Sequence, residues 1–239
     1  GQVVCVANLR VIDDGRTGWM EGIRVHPDIR SEGLGQKMTL HMLSQARLLG
    51  VQRVRLITAT ANEPAVYLAE SAGLDRIATM GCFWKDDPCE IEWRLNKGSV
   101  SEIGPLELAE TVKKHPGLVP SGVLIYHWDA VDADERGLAF ASEHTRFWVY
   151  RRDGDVAAIS TGLVFESPQG REWFATIYPS DKGAFLRSLS HHLSLSTQEG
   201  CEVMICIHPP RFSQLYEEEP VLAERAHELI IGLYERVLE

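Results

Sequence analysis

Met20-Glu21-Gly22-Ile23-Arg24-Val25-His26-Pro27-Asp28-Ile29-Arg30-Ser31-Glu32-Gly33-Leu34-Gly35-Gln36 is the stretch from which the rest of the chain is read. It opens as an apolar run suited to a buried strand, and Pro27, which cannot donate to a ladder, ends it. Arg30 to Gly35 form a short loop. Beyond it Met38, Leu40, Met42, Leu43, Ala46 and Leu49 recur at helical spacing, and Gly50 stands where a helix stop belongs. The order is strand, glycine-containing loop, helix. Such a loop turns several backbone N–H groups toward one point, and the helix dipole adds positive potential there. Gly33 and Gly35 are expected to let the backbone approach an anion, with Arg30 as counter-charge. The segment therefore reads as a pyrophosphate cradle. It is not a P-loop, because no Gly-Lys-Ser/Thr closes it, and the glycine spacing is wrong for a dinucleotide fingerprint.

Arg30-x-x-Gly33-x-Gly35 after a strand ending Val25-His26-Pro27 resembles the acetyl-CoA loop of the GNAT acetyltransferase superfamily. A second match follows. Val54 to Thr58 reads as a strand, and Asn62-Glu63-Pro64-Ala65 opens a helix ending at Ala72-Gly73-Leu74. Asn62, Ala65, Gly73 and Leu74 fit the spacing that the superfamily often shows. The resemblance implies a mixed α/β fold and acetyl-CoA as the acetyl donor. It further implies a donor site made of Ile23, Arg24, Val25, Arg30, Ser31, Glu32, Gly33, Leu34, Gly35, Gln36 and Asn62. The strand around Ile23–Val25 is expected to splay from its neighbour, leaving a backbone N–H to polarise the acetyl carbonyl.

Ahead of the cradle, Gly1 to Ile12 and the Asp13-Asp14-Gly15 turn make a hairpin with the Glu21 strand. A GNAT domain usually places a strand, two helices and another strand before this hairpin. Those elements are expected to be missing from the first unit, together with part of the acceptor site. Ile77–Trp84, a turn at Lys85–Pro88 and Ile91–Leu95 read as the closing hairpin, and Asn96–Ser99 as linker. The second half repeats the plan. Val123–Trp128 and Glu135–Glu143 are a strand and a helix, and Arg146–Arg152 and Val156–Phe165 pair across Asp153-Gly154-Asp155. Trp173–Tyr178, Lys182–Ser196 and Val203–Ile207 then give strand, helix, strand. At the cradle position stands Tyr178-Pro179-Ser180-Asp181-Lys182-Gly183, with one glycine, no Arg, and an Asp that repels phosphate. The tail from Ala226 is read as a closing strand. The expected layout is a tandem GNAT fold: residues 1–95 the acetyl-CoA-binding unit, 96–122 a linker with a short helix, and 123–239 a degenerate unit. A tandem chain of this kind resembles the histidine N-acetyltransferases and their relatives, with likeness at Val11-Ile12-Asp13 and Glu21–Val25, at Ile125 and Trp128, and over Leu186–His192.

Acetyl transfer to an amine needs a proton acceptor, an oxyanion donor and a tolerated thiolate. Glu21, two and four residues before Ile23 and Val25, is expected to share their face. A carboxylate on an apolar strand needs a partner. It is read as the general base, or else as the structural partner of Arg24 or Arg53. Superfamily members often carry a Tyr seven residues after the Asn, but here that position is Ala69. Tyr67 is two residues away, about 200° around a helix, and is expected to pack. His26 is expected to cap. His191 and His192, about 100° apart on one helix, are expected to be structural. No side-chain set has metal-ligand spacing, so no metal is expected. Tyr126 and Trp128 are candidate acceptor contacts, with Arg146, Arg151 and Arg211 as candidate clamps for a carboxylate.

The net charge of −10 speaks against nucleic acid or an anionic membrane as partner. The five cysteines form no C-x-x-C pair and read as reduced thiols of a cytoplasmic protein, monomer or homodimer. The reading is a direct N-acetyltransferase for a small amine or free amino acid, with the α-amino group of L-histidine foremost. The alternatives are N-terminal acetylation of a peptide or protein, and a non-catalytic acetyl-CoA sensor.

Overall fold

The computed structural model describes residues 2–30, 32–91, 98–168, 170–218, 222 and 226–239. The chain divides into two compact units, residues 1–79 with 231–239, and residues 80–230. The expected boundary near residue 95 therefore falls earlier, and the last residues return to the first unit.

The first unit opens with β1 (Cys5–Ile12) and β2 (Thr17–Val25), antiparallel around a turn in which Asp13, Asp14 and Gly15 all have positive φ. Asp and Gly are the residues that adopt this conformation at least cost. Helix α1 (Leu34–Leu48) follows and stops at Gly50, with φ 72°. β3 (Arg53–Ala59) lies parallel to β2, and α2 (Glu63–Ser71) starts at Asn62, whose side chain accepts from the Ala65 N–H. Both helices cover one sheet face, where Met42, Leu43, Ala46, Ala69 and Ala72 meet Met20, Val54 and Leu56. β4 (Asp75–Asp86) begins in this unit and continues into the second.

The fourth strand of the first sheet is β12 (Ala226–Val237), which gives the order β1-β2-β3-β12. The tail is a strand, as expected, but its partner is β3, with Ile231 opposite Ala59 through to Val237 opposite Arg53. A buried charge explains the pairing. Arg55 on β3 is 1% exposed, and its guanidinium donates to Glu235 of β12 at 2.6–2.7 Å. On its other side stands Asp13, at 3.7 Å and 0% exposed, which also accepts from Arg16 at 2.7 Å and from the Thr17 hydroxyl at 3.0 Å. A buried cation is tolerable only among such partners.

The second unit continues β4 from Met80 and adds β5 (Ser99–Ile103), α3 (Pro105–Lys114), β6 (Val123–Tyr126), β7 (Asp129–Asp132) and α4 (Glu135–Ala141). Then come β8 (Arg146–Arg152), β9 (Asp155–Ser167), β10 (Gly170–Pro179), α5 (Lys182–Gln198), β11 (Val203–His208) and α6 (Gln214–Glu218). Its sheet runs β4-β11-β10-β9-β8-β5, with β6 and β7 as a separate ribbon. Two expectations are corrected. The strand from Val123 ends at Tyr126, because His127, with φ 51°, turns the chain back into β7. The expected linker contains a strand, β5, paired with β8 from Ser99 opposite Arg151 to Ile103 opposite Phe147. The proposed hairpin arm at 92–95 and the linker residues Asn96 and Lys97 lie outside the described residues.

The internal repeat is real. β9, β10, α5 and β11 have the order, hairpin and parallel crossover of β1, β2, α1 and β3. In the second unit a strand, two helices and a strand (β5, α3, α4 and β8) precede that hairpin, alongside the β6–β7 ribbon.

Replacing Arg55 with Ala strands Asp13 as a buried charge with less compensation. The expected loss is about 3 kcal/mol of unfolding free energy, read by denaturant titration, with a smaller loss for Glu235→Gln at the more exposed partner.

Candidate functional site

The first unit's sheet comes apart at one seam. β2 and β3 pair only from Thr17 opposite Arg53 to Trp19 opposite Arg55. β2 runs on to Val25 and β3 to Ala59, so the facing edges of residues 20–25 and 56–59 have no strand pairing to each other. β1 holds the outer edge of β2, and β12 holds the outer edge of β3. The result is a wedge with backbone N–H and C=O groups along its sides, a place where an extended amide-bearing chain can complete the ladder.

A bulge shapes the β2 limb. The register with β1 shifts between Val6 opposite Arg24 and Asn8 opposite Glu21, and Gly22 has φ 66° with nothing near the place of a Cβ. The extra residue reverses the alternation. Met20 and Ile23, three apart, both pack on the helix-covered cluster. Glu21 therefore does not share a face with Ile23, as the unbroken alternation predicts. It stands with Asn8, Arg10 and Arg24 on the other face.

Neither Arg24 nor Arg53 is the partner of Glu21. Arg10 donates to it through Nε at 3.0 Å and Nη2 at 3.1 Å, and Asn8 Nδ2 donates at 2.7 Å. Partial burial pushes the Glu21 carboxyl up. The hydrogen bonds from Arg10 and Asn8, the Arg10 charge and a hydrogen bond from Trp19 outweigh it and hold the group below the usual carboxylate range. Asn8, Arg10 and Trp19 are the residues that sequence reasoning missed. Their signal was the hairpin register, which places Asn8 opposite Glu21.

The cradle lies at the end of the same limb. After Val25 a 3-10 turn spans Pro27–Ile29, and the Asp28 N–H donates to His26 Nδ1 at 3.4 Å, so His26 caps. Gly33 is the N-cap of α1, left-handed with φ 75°, and no side chain caps the helix. The first N–H to reach a helical carbonyl from this end is that of Lys37, on Gly33 at 3.0 Å. By helix geometry those of Leu34, Gly35 and Gln36 point outward. The two glycines differ in purpose. A Cβ on Gly33 would meet no atom within 4 Å but would strain the backbone, whereas a Cβ on Gly35 would stand 3.1 Å from Leu68 Cδ1. Gly33 serves conformation and Gly35 the contact of α1 with α2. Arg24, Arg30, Glu32 and Gln36 are exposed, and Ser31 lies outside the described residues. The set fits an anion carried by a chain that lies in the wedge.

The second unit shows the same place filled from within. Asp181 caps α5, accepting from the Ala184 N–H at 3.0 Å, and is gripped by Arg152 at 2.7 and 3.2 Å. The Arg152 hydrogen bonds prevail over burial and hold this carboxyl well below the usual range. β10 and β11 stay paired to Thr176 opposite Ile207, Arg211 donates to the Pro179 carbonyl at 3.0 Å, and the Tyr178 hydroxyl accepts from the Ile125 N–H at 2.7 Å.

Other expected groups have ordinary surroundings. Tyr67 is 64% exposed and does not pack as expected, while Ala69 is fully buried. His192 Nδ1 accepts from Trp173 Nε1 at 3.3 Å, and burial pushes both His191 and His192 below the usual imidazole range, as befits structural residues. Tyr126 is buried in the second unit, and Trp128 packs against Trp84 and Phe174. Arg146 lies over Trp148 and near Glu102 and Glu199, Arg151 pairs with Glu107, and Arg211 is engaged as above. Among the described residues no group of three His, Cys, Asp or Glu could hold a metal, and no helix is long and apolar enough to cross a membrane.

Residues 1–74 match the acetyltransferase (GNAT) family. No curated protein sequence matches the chain. Among solved structures it is similar to a GCN5-related N-acetyltransferase from Sphaerobacter thermophilus, 16% identical, with 98% of this chain and 76% of that chain aligned and a TM-score of 0.58. It is also similar to a tandem GNAT protein from the clavulanic acid biosynthesis pathway, 14% identical, over 99% of this chain and 80% of that chain, with a TM-score of 0.53. The fold is thus the mixed α/β GNAT fold in tandem.

Replacing Arg10 in Arg10→Met removes its hydrogen bonds and its charge, two of the influences that hold the Glu21 carboxyl down. The carboxyl is expected to titrate above its wild-type position, followed by carboxyl-carbon NMR. Asp181, whose pKa is depressed in the folded state, stabilises above the ordinary Asp pKa of about 3.9. That stability drains as pH falls below it. The Asp181→Asn variant is expected to be less stable at neutral pH by about 1 kcal/mol and to lose less on acidification.

Proposed function

We propose that the chain is an acetyl-CoA-dependent N-acetyltransferase, with the first unit as its donor site. The observation that carries this is the pairing of an uncapped, left-handed Gly33 helix start with the β2–β3 wedge. One holds a pyrophosphate, the other a pantetheine. The thioester supplies an activated acetyl carbon, and the residues supply its placement. Ile23, Arg24 and Val25 offer backbone groups along the wedge. Arg30, Glu32, Gly33, Leu34, Gly35 and Gln36 form the anion end, to which the sequence motif adds Ser31, and Asn62 fixes the start of α2. Direct transfer to the amine needs no metal.

Glu21 is the proposed proton acceptor. With Arg10 and Asn8 on its oxygens it is ionised at neutral pH, so an ammonium acceptor is attracted to it. Its depressed pKa makes it a weak base, and it draws the proton through water once attack has begun. Asn8 and Arg10 stand beside it on this acceptor side, while Trp19 is buried. The acceptor class that fits is a small amine or free amino acid. An acidic protein accommodates a cationic acceptor, and the tandem resemblance puts L-histidine first among them.

The test is release of free CoA from acetyl-CoA against a panel of amino acids, polyamines and short peptides. Histidine or another amino acid standing clear of the peptides supports the reading, and activity on peptides alone overturns the acceptor class. Two variants locate the site. Gly33→Val forces a branched residue into the left-handed region at a cost of about 1–2 kcal/mol, so acetyl-CoA is expected to bind roughly tenfold more weakly. Glu21→Gln with full turnover at neutral pH would remove Glu21 from its role.

A further inference from the structure

The β6–β7 hairpin of the second unit turns on two residues, His127 and Trp128, since Tyr126 already pairs with Asp129. A two-residue turn ordinarily takes glycine, asparagine or aspartate, which accept a left-handed backbone at least cost. Here His127 bears that conformation, with φ 51°. What the turn gains is two rings laid against the sheet. From centroid to centroid, His127 is 4.3 Å from the Phe174 ring and 4.8 Å from that of Phe165. Trp128 is 5.9 Å from Phe174 and 6.2 Å from Trp84. Strand register fixes the floor beneath them. Trp84 and Phe174 flank Ile205 in one row, on the face turned away from the α5-covered core that holds Phe83 and Trp173. In the next row on that face, about 7 Å along the strands, Asp86 and Glu172 flank Val203, and Phe165 pairs with Glu172. Asp86 and Phe165 are exposed, and Trp84, Trp128, His127 and Glu172 are half-buried. Neither carboxylate has an ion-pair partner among the described residues. Arg171, beside Glu172 in the chain, is held on the other face by Glu166 and Glu199.

Aromatic faces and unpaired carboxylates attract the same kind of group, a cation that also carries apolar surface. We propose that this aromatic platform of the second unit is a binding site for a small organic cation, an alkyl-substituted ammonium. The alkyl groups of its head lie on the Trp84, Trp128 and Phe165 rings, and Glu172 and Asp86 balance its charge. An anion is repelled by both carboxylates. A primary ammonium is compact and strongly hydrated, and an open platform cannot replace its water. A substituted head is weakly hydrated and gives up less on reaching the rings. The site uses no residue of the first unit and stands whether or not that unit transfers acetyl groups.

The probe is choline, set against 3,3-dimethyl-1-butanol, in which carbon replaces the charged nitrogen. Each is titrated into the whole chain, and the indole N–H signals of Trp84 and Trp128 are followed by NMR, assigned through Trp84→Phe and Trp128→Phe. Choline is expected to shift both signals and to bind about tenfold more tightly than its neutral isostere. Glu172→Gln keeps the side-chain shape and is expected to weaken choline about threefold while leaving the isostere unchanged. Phe165→Leu keeps apolar bulk at an exposed position, removes the ring, and is expected to cost choline about threefold. Both variants are expected to unfold at the wild-type midpoint. Equal affinity for the two probes overturns the proposal and leaves an apolar patch. Choline that moves neither indole signal, or that binds Glu172→Gln and Phe165→Leu as tightly as the wild type, overturns it as well.

Discussion

The first unit depends on one buried cation. Arg55 sits at the last paired position before the wedge, opposite Trp19, and is neutralised by Asp13 from the β1–β2 turn and by Glu235 from β12. A guanidinium with no exposure is unstable unless its partners are held in place. The network therefore fixes three segments against one another. It closes the hairpin, anchors the closing strand, and stops the β2–β3 pairing from shifting. The wedge can stand open at one end because it is locked at the other.

The two units use one plan to opposite ends. In the first, glycines at the bulge and at the helix start keep side chains away from backbone donors, and no side chain caps α1. In the second, the corresponding helix start is satisfied by Asp181, and Arg152 compensates that carboxylate. A helix terminus with its own anion has little left to offer a foreign one. The carboxylate also repels phosphate. The difference between the two comes down to what stands at two N-cap positions, Gly33 and Asp181.

Much of this was legible in the sequence. The strand, cradle and helix around Gly33, the Asn62 helix start, the Asp13 turn and the repeated order in the second half follow from local spacing and turn chemistry. What escaped was non-local. Nothing in the periodicity of Ala226–Val237 says that its partner is β3, because strand pairing over such a separation leaves no local trace. The face of Glu21 was misread because alternation was carried across Gly22; a glycine inside a strand is itself a bulge signal, and here it had that meaning. The β6–β7 turn escaped because His127 takes a left-handed conformation that glycine or asparagine would have advertised. β5 escaped because a five-residue strand beside punctuation reads as linker.

The union of β3 and β12 has a consequence for biosynthesis. Arg55 and Glu235 are 180 residues apart in the chain. At about 5–20 residues per second of synthesis, the β3 limb waits roughly 10–40 s for its second neighbour. During that interval its outer edge, with buried Leu56 and the Arg55 charge, is bare to the cell. The second unit, in whose sheet β8 to β11 lie side by side in chain order, is in a position to fold first. Translation order therefore makes the first unit the later of the two to mature, its β3 edge unpaired until β12 has been made.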